Sequence, residues 1–147
     1  MRWPILLLFY FALVGCTHGG IRITDLDVPL VDLQRAVVDA LPLGKRDVSP
    51  NGREFFSEYF VVVQNRARPA TKLTTRYYAH VYVLGDRRPY IVEGLVRKEV
   101  REKGVVGPEY SDAGVDQRLT KVLMRKIKGN LSKRREDRNI IDDFRVF

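Results

Sequence analysis

The chain holds little of what catalysis and metal binding draw on. Its 147 residues include one cysteine, Cys16, and two histidines, His18 and His80. A lone cysteine excludes an internal disulfide. No H-x-x-x-H or C-x-x-C spacing is present, and Asp142-Asp143 lacks further oxygen ligands at calcium-loop spacing, so no metal site is expected. The glycines form neither G-x-G-x-x-G nor G-x-x-x-x-G-K-[ST], and Ser57, Ser111 and Ser132 lie outside any G-x-S-x-G. No cofactor is expected, no catalytic residue is assigned, and the sequence points to a protein that is not an enzyme. Internal repeats and low-complexity stretches are also missing.

Long apolar runs are scarce too. The longest, Trp3 to Val14, follows a single charge at Arg2 and spans about 18 Å as a helix. A hydrocarbon core is roughly 30 Å thick, so the run is too short to cross it. A charged start, a short apolar core and a small residue before the cut make a secretory signal over residues 1–15. Leu13-Val14-Gly15-Cys16 follows the apolar run directly and resembles the bacterial lipobox. That resemblance implies cleavage before Cys16 and a diacylglyceryl group on its thiol. The protein is then held at a membrane by lipid without spanning it. Position 17 is Thr and not Asp, which, by resemblance to enterobacterial lipoprotein sorting, implies the outer membrane, facing the periplasm, over the inner one. Residues 16–24 read as lipidated cysteine and tether, and residues 25–147 as one domain.

Acidic residues are in deficit. The chain carries 26 Lys+Arg against 18 Asp+Glu, a net charge of +8. Only Arg2 is charged among residues 1–15, so their removal leaves 25 basic against 18 acidic side chains, a net +7. Such an excess draws anionic partners through long-range attraction.

Leu26, Leu30, Leu33, Val37 and Leu41 recur at helical spacing behind Asp25 or Asp27 as cap, with Pro42 as terminator. Gly44–Gly52 reads as a loop. Strands are predicted over Glu54–Gln64, Leu73–Leu84 and Tyr90–Arg101, rich in aromatic and β-branched residues. In the second, the odd positions suit a core and the even positions a wetter face. Gly104–Gly114 reads as a loop, and Ser111 or Asp112 as the cap of a second helix with the stripe Val115, Leu119, Val122, Leu123, Ile127 and Leu131. Residues 139–147 suit a last edge strand or a docked tail. The expectation is α+β: a two-layer sandwich in the order α-β-β-β-α, with a three- or four-stranded antiparallel sheet and both helices on one face. That element order, behind a lipobox, loosely resembles periplasmic lipoproteins of the lipopolysaccharide-assembly type.

Two surface sets stand out. Arg76, Tyr78, His80 and Tyr82 share one strand face, where aromatics interleaved with a basic residue suit stacking on a ligand. Lys126, Lys128, Lys133, Arg134 and Arg135 crowd the second helix end and suit phosphates, although basic groups there also match the helix dipole. The leading expectation is a membrane-anchored, non-enzymatic envelope module for binding or assembly, with an envelope protein as partner. The alternative is a basic protein binding lipopolysaccharide, phospholipid or periplasmic DNA, nucleic acid being the least expected. The remote alternative is a hydrolase using His80 with Glu58 or Glu93.

Overall fold

A computed structural model describes residues 19–71, 74–104 and 107–143, with the backbone alone at residue 108 and over 137–143. The element order is β1 (Ile21–Leu26), α1 (Leu30–Ala40), β2 (Lys45–Val48), β3 (Glu54–Ser57), β4 (Phe60–Val63), β5 (Arg66–Pro69), β6 (Thr75–Leu84), β7 (Tyr90–Lys103), β8 (Pro108–Val115) and α2 (Gln117–Asp143). The expected three- or four-stranded sheet is therefore corrected to an eight-stranded one, and the order α-β-β-β-α does not hold. The resemblance in element order loses its basis with it.

The sheet is organised by the long β6–β7 hairpin, paired from Thr75↔Val100 to Leu84↔Ile91. Each outer edge of that hairpin carries two short strands laid end to end. On β7, β1 covers Tyr90 to Gly94 and β8 covers Arg97 to Lys103. On β6, β3 covers His80 to Tyr82 while β4 meets Tyr77. β2 extends β3, and β5 pairs with β4.

Each junction between end-to-end strands leaves main-chain groups of the central hairpin without a ladder partner, and a buried hydroxyl fills each gap. At the β1/β8 junction, Val96 N–H donates to Thr120 Oγ1 at 2.9 Å, and Val96 O accepts Asp116 N–H at 2.9 Å. At the β3/β4 junction, Ala79 N–H donates to Ser57 Oγ at 2.8 Å, and that hydroxyl donates to Glu58 O at 2.8 Å. Ser57 and Thr120 are fully buried. A buried main-chain donor left alone costs as much as a lost hydrogen bond, which explains polar side chains at these two interior positions.

Several elements differ from the sequence expectation for identifiable reasons. Ile21–Leu26, read as tether and helix cap, is an edge strand: Ile21 and Ile23 turn inward, and Arg22 and Thr24 are exposed. Asp25 has φ +58° at its register shift, which breaks the strand and bars a helix start there. α1 has Pro29 as N-cap and no side-chain cap, so neither Asp25 nor Asp27 caps it. It ends because Leu41, before Pro42, is extended. The single strand read over Glu54–Gln64 is broken at Glu58-Tyr59 into β3 and β4. The expected loops hold β2 and most of β8. The cap of α2 is Asp116, whose Oδ1 accepts Leu119 N–H at 2.9 Å, not Ser111 or Asp112. The chain past Asn139 stays helical to Asp143. Residues 144–147 and Leu73 lie outside the described residues.

Both helices pack on the face formed by Ala79, Val81, Val83, Val92 and Val96, closing one core with Leu33, Val37, Leu123, Met124 and Ile127. Val122, expected in the apolar stripe, is instead 53% exposed. A Cβ at Gly94 would overlap Met124 Sδ, so glycine is what lets α2 lie close on β7. The helices are tied to each other by Asn130 Nδ2 donating to Ala36 O at 3.1 Å and by the Arg134–Asp39 pair at 2.5 Å. Among the described residues no helix is long and apolar enough to cross a membrane.

Candidate functional site

The face of the sheet opposite the helices gathers the first candidate set. Alternation along β6 puts Arg76, Tyr78, His80 and Tyr82 there. Their cross-strand partners on β7 are Glu99, Arg97, Leu95 and Glu93, and β3 adds Glu54 and Phe56. The side chains cover this face themselves. Leu95 is 4% exposed and lies outside the helix-side core.

His80 is 7% exposed, between Phe56 and Tyr82 with each ring centroid 4.1 Å away. Its Nε2 lies 2.6 Å from Glu54 Oε1, and Nδ1 lies 3.2 Å from Tyr82 Oη. Burial pushes the His80 pKa below its ordinary value; Glu54 pulls it upward without prevailing, and Arg97 adds to the fall. The ring is thus neutral near pH 7. A carboxylate at Nε2 requires the proton on that nitrogen, which leaves Nδ1 to accept from the tyrosine hydroxyl. The acid beside His80 is Glu54, not Glu58, which is exposed, or Glu93, which pairs with Arg22 at 2.7 Å. Burial, with Glu54 second, raises the Tyr82 pKa, so its hydroxyl stays protonated at neutral pH. Tyr78 is raised as well, first by burial and against the pull of Arg97. The Glu54–His80–Tyr82 chain holds three side chains in place.

Arg76 is equally committed. Its guanidinium lies 3.6 Å from the centroids of both Tyr59 and Tyr110 and pairs with Glu99 at 2.6 Å. Arg46 stacks on Tyr59 at 4.0 Å. Arg97 pairs with Asp112. Sequence reasoning missed Arg46, Tyr59, Tyr110 and Glu54, because sheet pairing alone brings them to this face.

The five cations of the second set do not share a face. At 100° per residue Lys126 and Lys133 point one way, Lys128 and Arg135 the opposite way, and Arg134 between them toward Asp39 on α1. Lys128 and Arg135 line a cleft of about 490 Å³ with Asp25 and Asp27. A different set does align. Arg118, Lys121, Arg125 and Lys128, with Arg135 further on, repeat at spacings of three and four, and all are exposed. Gln117 to Arg135 holds eight basic residues and no acid.

A third feature had no sequence signal. Where β4 and β5 leave the sheet, a groove of about 550 Å³ opens between that hairpin, the end of α1 and α2. Its lining is apolar except for Asn65, Arg118 and Lys126.

Among the described residues no group of three His, Cys, Asp or Glu side chains could hold a metal ion. Leu13, Val14, Gly15, Cys16 and His18 lie outside the described residues. Comparison of the chain with protein-family models, with curated proteins and with solved structures finds no match.

Proposed function

We propose that this protein is a membrane-anchored bacterial lipoprotein whose folded domain serves the cell envelope as a non-enzymatic binding or assembly module. One structural observation supports the anchoring more than any other. Gln117 Nε2, at the start of α2, donates to Gly19 O at 2.8 Å, and β1 begins two residues later. Cys16 therefore lies three residues from a point fixed on the domain, a reach of no more than about 11 Å. Lipid on Cys16 would hold the domain against the bilayer, with the start of α2 nearest the surface. By resemblance to enterobacterial lipoprotein sorting, Thr17 supports the outer membrane and its periplasmic side. The open face of the sheet, with its rings held by stacking and ion pairs, offers a rigid polar-aromatic surface to an envelope protein. Tyr and Arg held in this way suit recognition, since little side-chain freedom remains to be lost. Membrane fractionation tests the anchoring. The wild type should sediment with membranes, and Cys16→Ser should appear in the soluble fraction or retain residues 1–15. Unchanged sedimentation of a cleaved Cys16→Ser protein would overturn it.

A second reading, binding of anionic surfaces such as phospholipid or lipopolysaccharide headgroups, rests on the aligned cations Arg118, Lys121, Arg125 and Lys128. None of them has an ion pair among the described residues, and they start at the end of α2 where Gly19 is held. The helix end expected from the sequence contributes less, because Arg134 is paired and Lys133 points elsewhere.

A further inference from the structure

The groove between α2 and the β4–β5 hairpin has a definite chemistry. β4 touches the sheet at one pair, Phe60↔Tyr77, so the rest of the hairpin runs free of β6. Val62 and Ala67 of the hairpin form one wall, and Leu119 and Val122 of α2 form the other. Phe60, Val96 and Leu123, all buried, make the floor. Val122 has about half its surface in solvent although it is apolar, because the trough beside it holds no side chain.

The polar groups at this groove are few and of one sign. Arg118 and Lys126 stand two turns apart on α2, about 12 Å along its axis. Neither has an ion pair among the described residues, and no carboxylate lines the groove. Asn65 is the third polar residue, at the hairpin turn, where Gln64 and Asn65 have φ of +49° and +60°. A sugar or nucleotide needs many hydrogen-bonding partners, and this lining supplies too few. An apolar trough of about 550 Å³ with cations on its lip suits a ligand with an alkyl body and an anionic head.

We propose that this groove binds a single-chain anionic amphiphile, its alkyl chain lying between Val62 and Val122 and its carboxylate or phosphate held by Arg118 or Lys126. The assignment is independent of acylation at Cys16, because every residue it uses belongs to the folded domain. The occupant is a free fatty acid: an acyl chain of a bilayer lipid is esterified at its carboxyl and paired with a second chain, so it brings no anionic end to Arg118 or Lys126.

The experiment uses the full-length chain and a diazirine-bearing fatty acid of sixteen carbons. Labelling is done once in native membranes and once on protein extracted in a nonionic detergent, with adducts mapped by tandem mass spectrometry. Adducts are expected on Phe60–Ala67 and Leu119–Lys126 in both arms; adducts in membranes alone would mean contact with bilayer lipid and would overturn the proposal. Val122→Trp, at an exposed position with room for the ring, should cut labelling at least tenfold while circular dichroism stays native. Arg118→Glu with Lys126→Glu should do the same. An alkylamine probe of equal length should label the wild type less than one-tenth as well, a comparison that needs no variant. Cys16→Ser should label in detergent like the wild type, whether or not it is anchored. Equal labelling by the amine, undiminished labelling of natively folded Val122→Trp, or adducts confined to other surfaces would each overturn the proposal.

Discussion

Thr120→Val tests the junction between β1 and β8. Valine keeps the branched shape and the burial of threonine, so packing and helix preference change little. What it removes is the Oγ1 that accepts Val96 N–H at 2.9 Å and donates to Asp116 O at 2.8 Å. Val96 is 1% exposed, so water cannot replace the lost acceptor without opening the seam. A buried donor left unsatisfied costs about 1–3 kcal/mol. The extra apolar methyl offsets less than about 1 kcal/mol of that. Thr120→Ser makes the converse change: both hydrogen bonds remain and one methyl is lost, a cost of roughly 1 kcal/mol. Burial alone ranks valine above serine at this site, while the hydrogen-bond account ranks serine above valine. Urea titration followed by circular dichroism measures both, and the Val96 amide should lose hydrogen-exchange protection in Thr120→Val alone. A Thr120→Val protein as stable as wild type, with Val96 still protected, would refute the reasoning.

Gly94→Ala should destabilise by about 1–3 kcal/mol in the same titration, since its methyl overlaps Met124 Sδ; Met124→Ala in the same chain should remove that penalty, and additive costs would mean that α2 does not rest on Gly94. His80 has a depressed folded pKa, so its neutral form contributes stability above the ordinary value near 6.5 that falls as pH drops toward the folded pKa. Urea midpoints at pH 7.5 and 5.5 should therefore differ more for the wild type than for His80→Gln, and an NMR titration of the ring should give a midpoint below 6.5. Lys121→Glu with Arg125→Glu should weaken binding to anionic vesicles at low salt by at least about 2 kcal/mol, roughly thirtyfold, while Lys133→Glu changes it little. Equal losses from the two variants, read by vesicle sedimentation, would return the site to the helix end.

The sequence was most informative where apolar alternation was long. Tyr90, Val92 and Val96 mark the helix-facing side of β7, and Ala79, Val81 and Val83 that of β6, because strands of ten and fourteen residues repeat the period often enough to be read. The short edge strands could not be read in this way. KRDV, RARP and PEYSDAGV are charged or hold turn formers, and they become strands because an existing edge offers main-chain partners. β1 did carry a signal in Ile21-Arg22-Ile23-Thr24, but its six residues ran into a helical stripe that began at Leu26 and competed for them. The break at Glu58 was hidden by an unbroken run of strand formers; the Ser57 hydroxyl that meets Ala79 N–H at this break makes a contact 22 residues away. The histidine–acid pair was out of reach for the same reason. Glu54 comes beside His80 because β3 pairs with β6 in the register Glu54↔Tyr82 and Phe56↔His80, which makes the two diagonal neighbours. The helix-end cations were legible as a composition and illegible as a surface, since their directions around α2 depend on which side packs on the sheet.

Intact mass spectrometry of the protein extracted from bacterial membranes tests the central claim most directly. The account predicts a chain beginning at Cys16, heavier than its polypeptide by a diacylglyceryl group with or without a further acyl chain. A chain beginning at Met1 with an unmodified Cys16 thiol would contradict it.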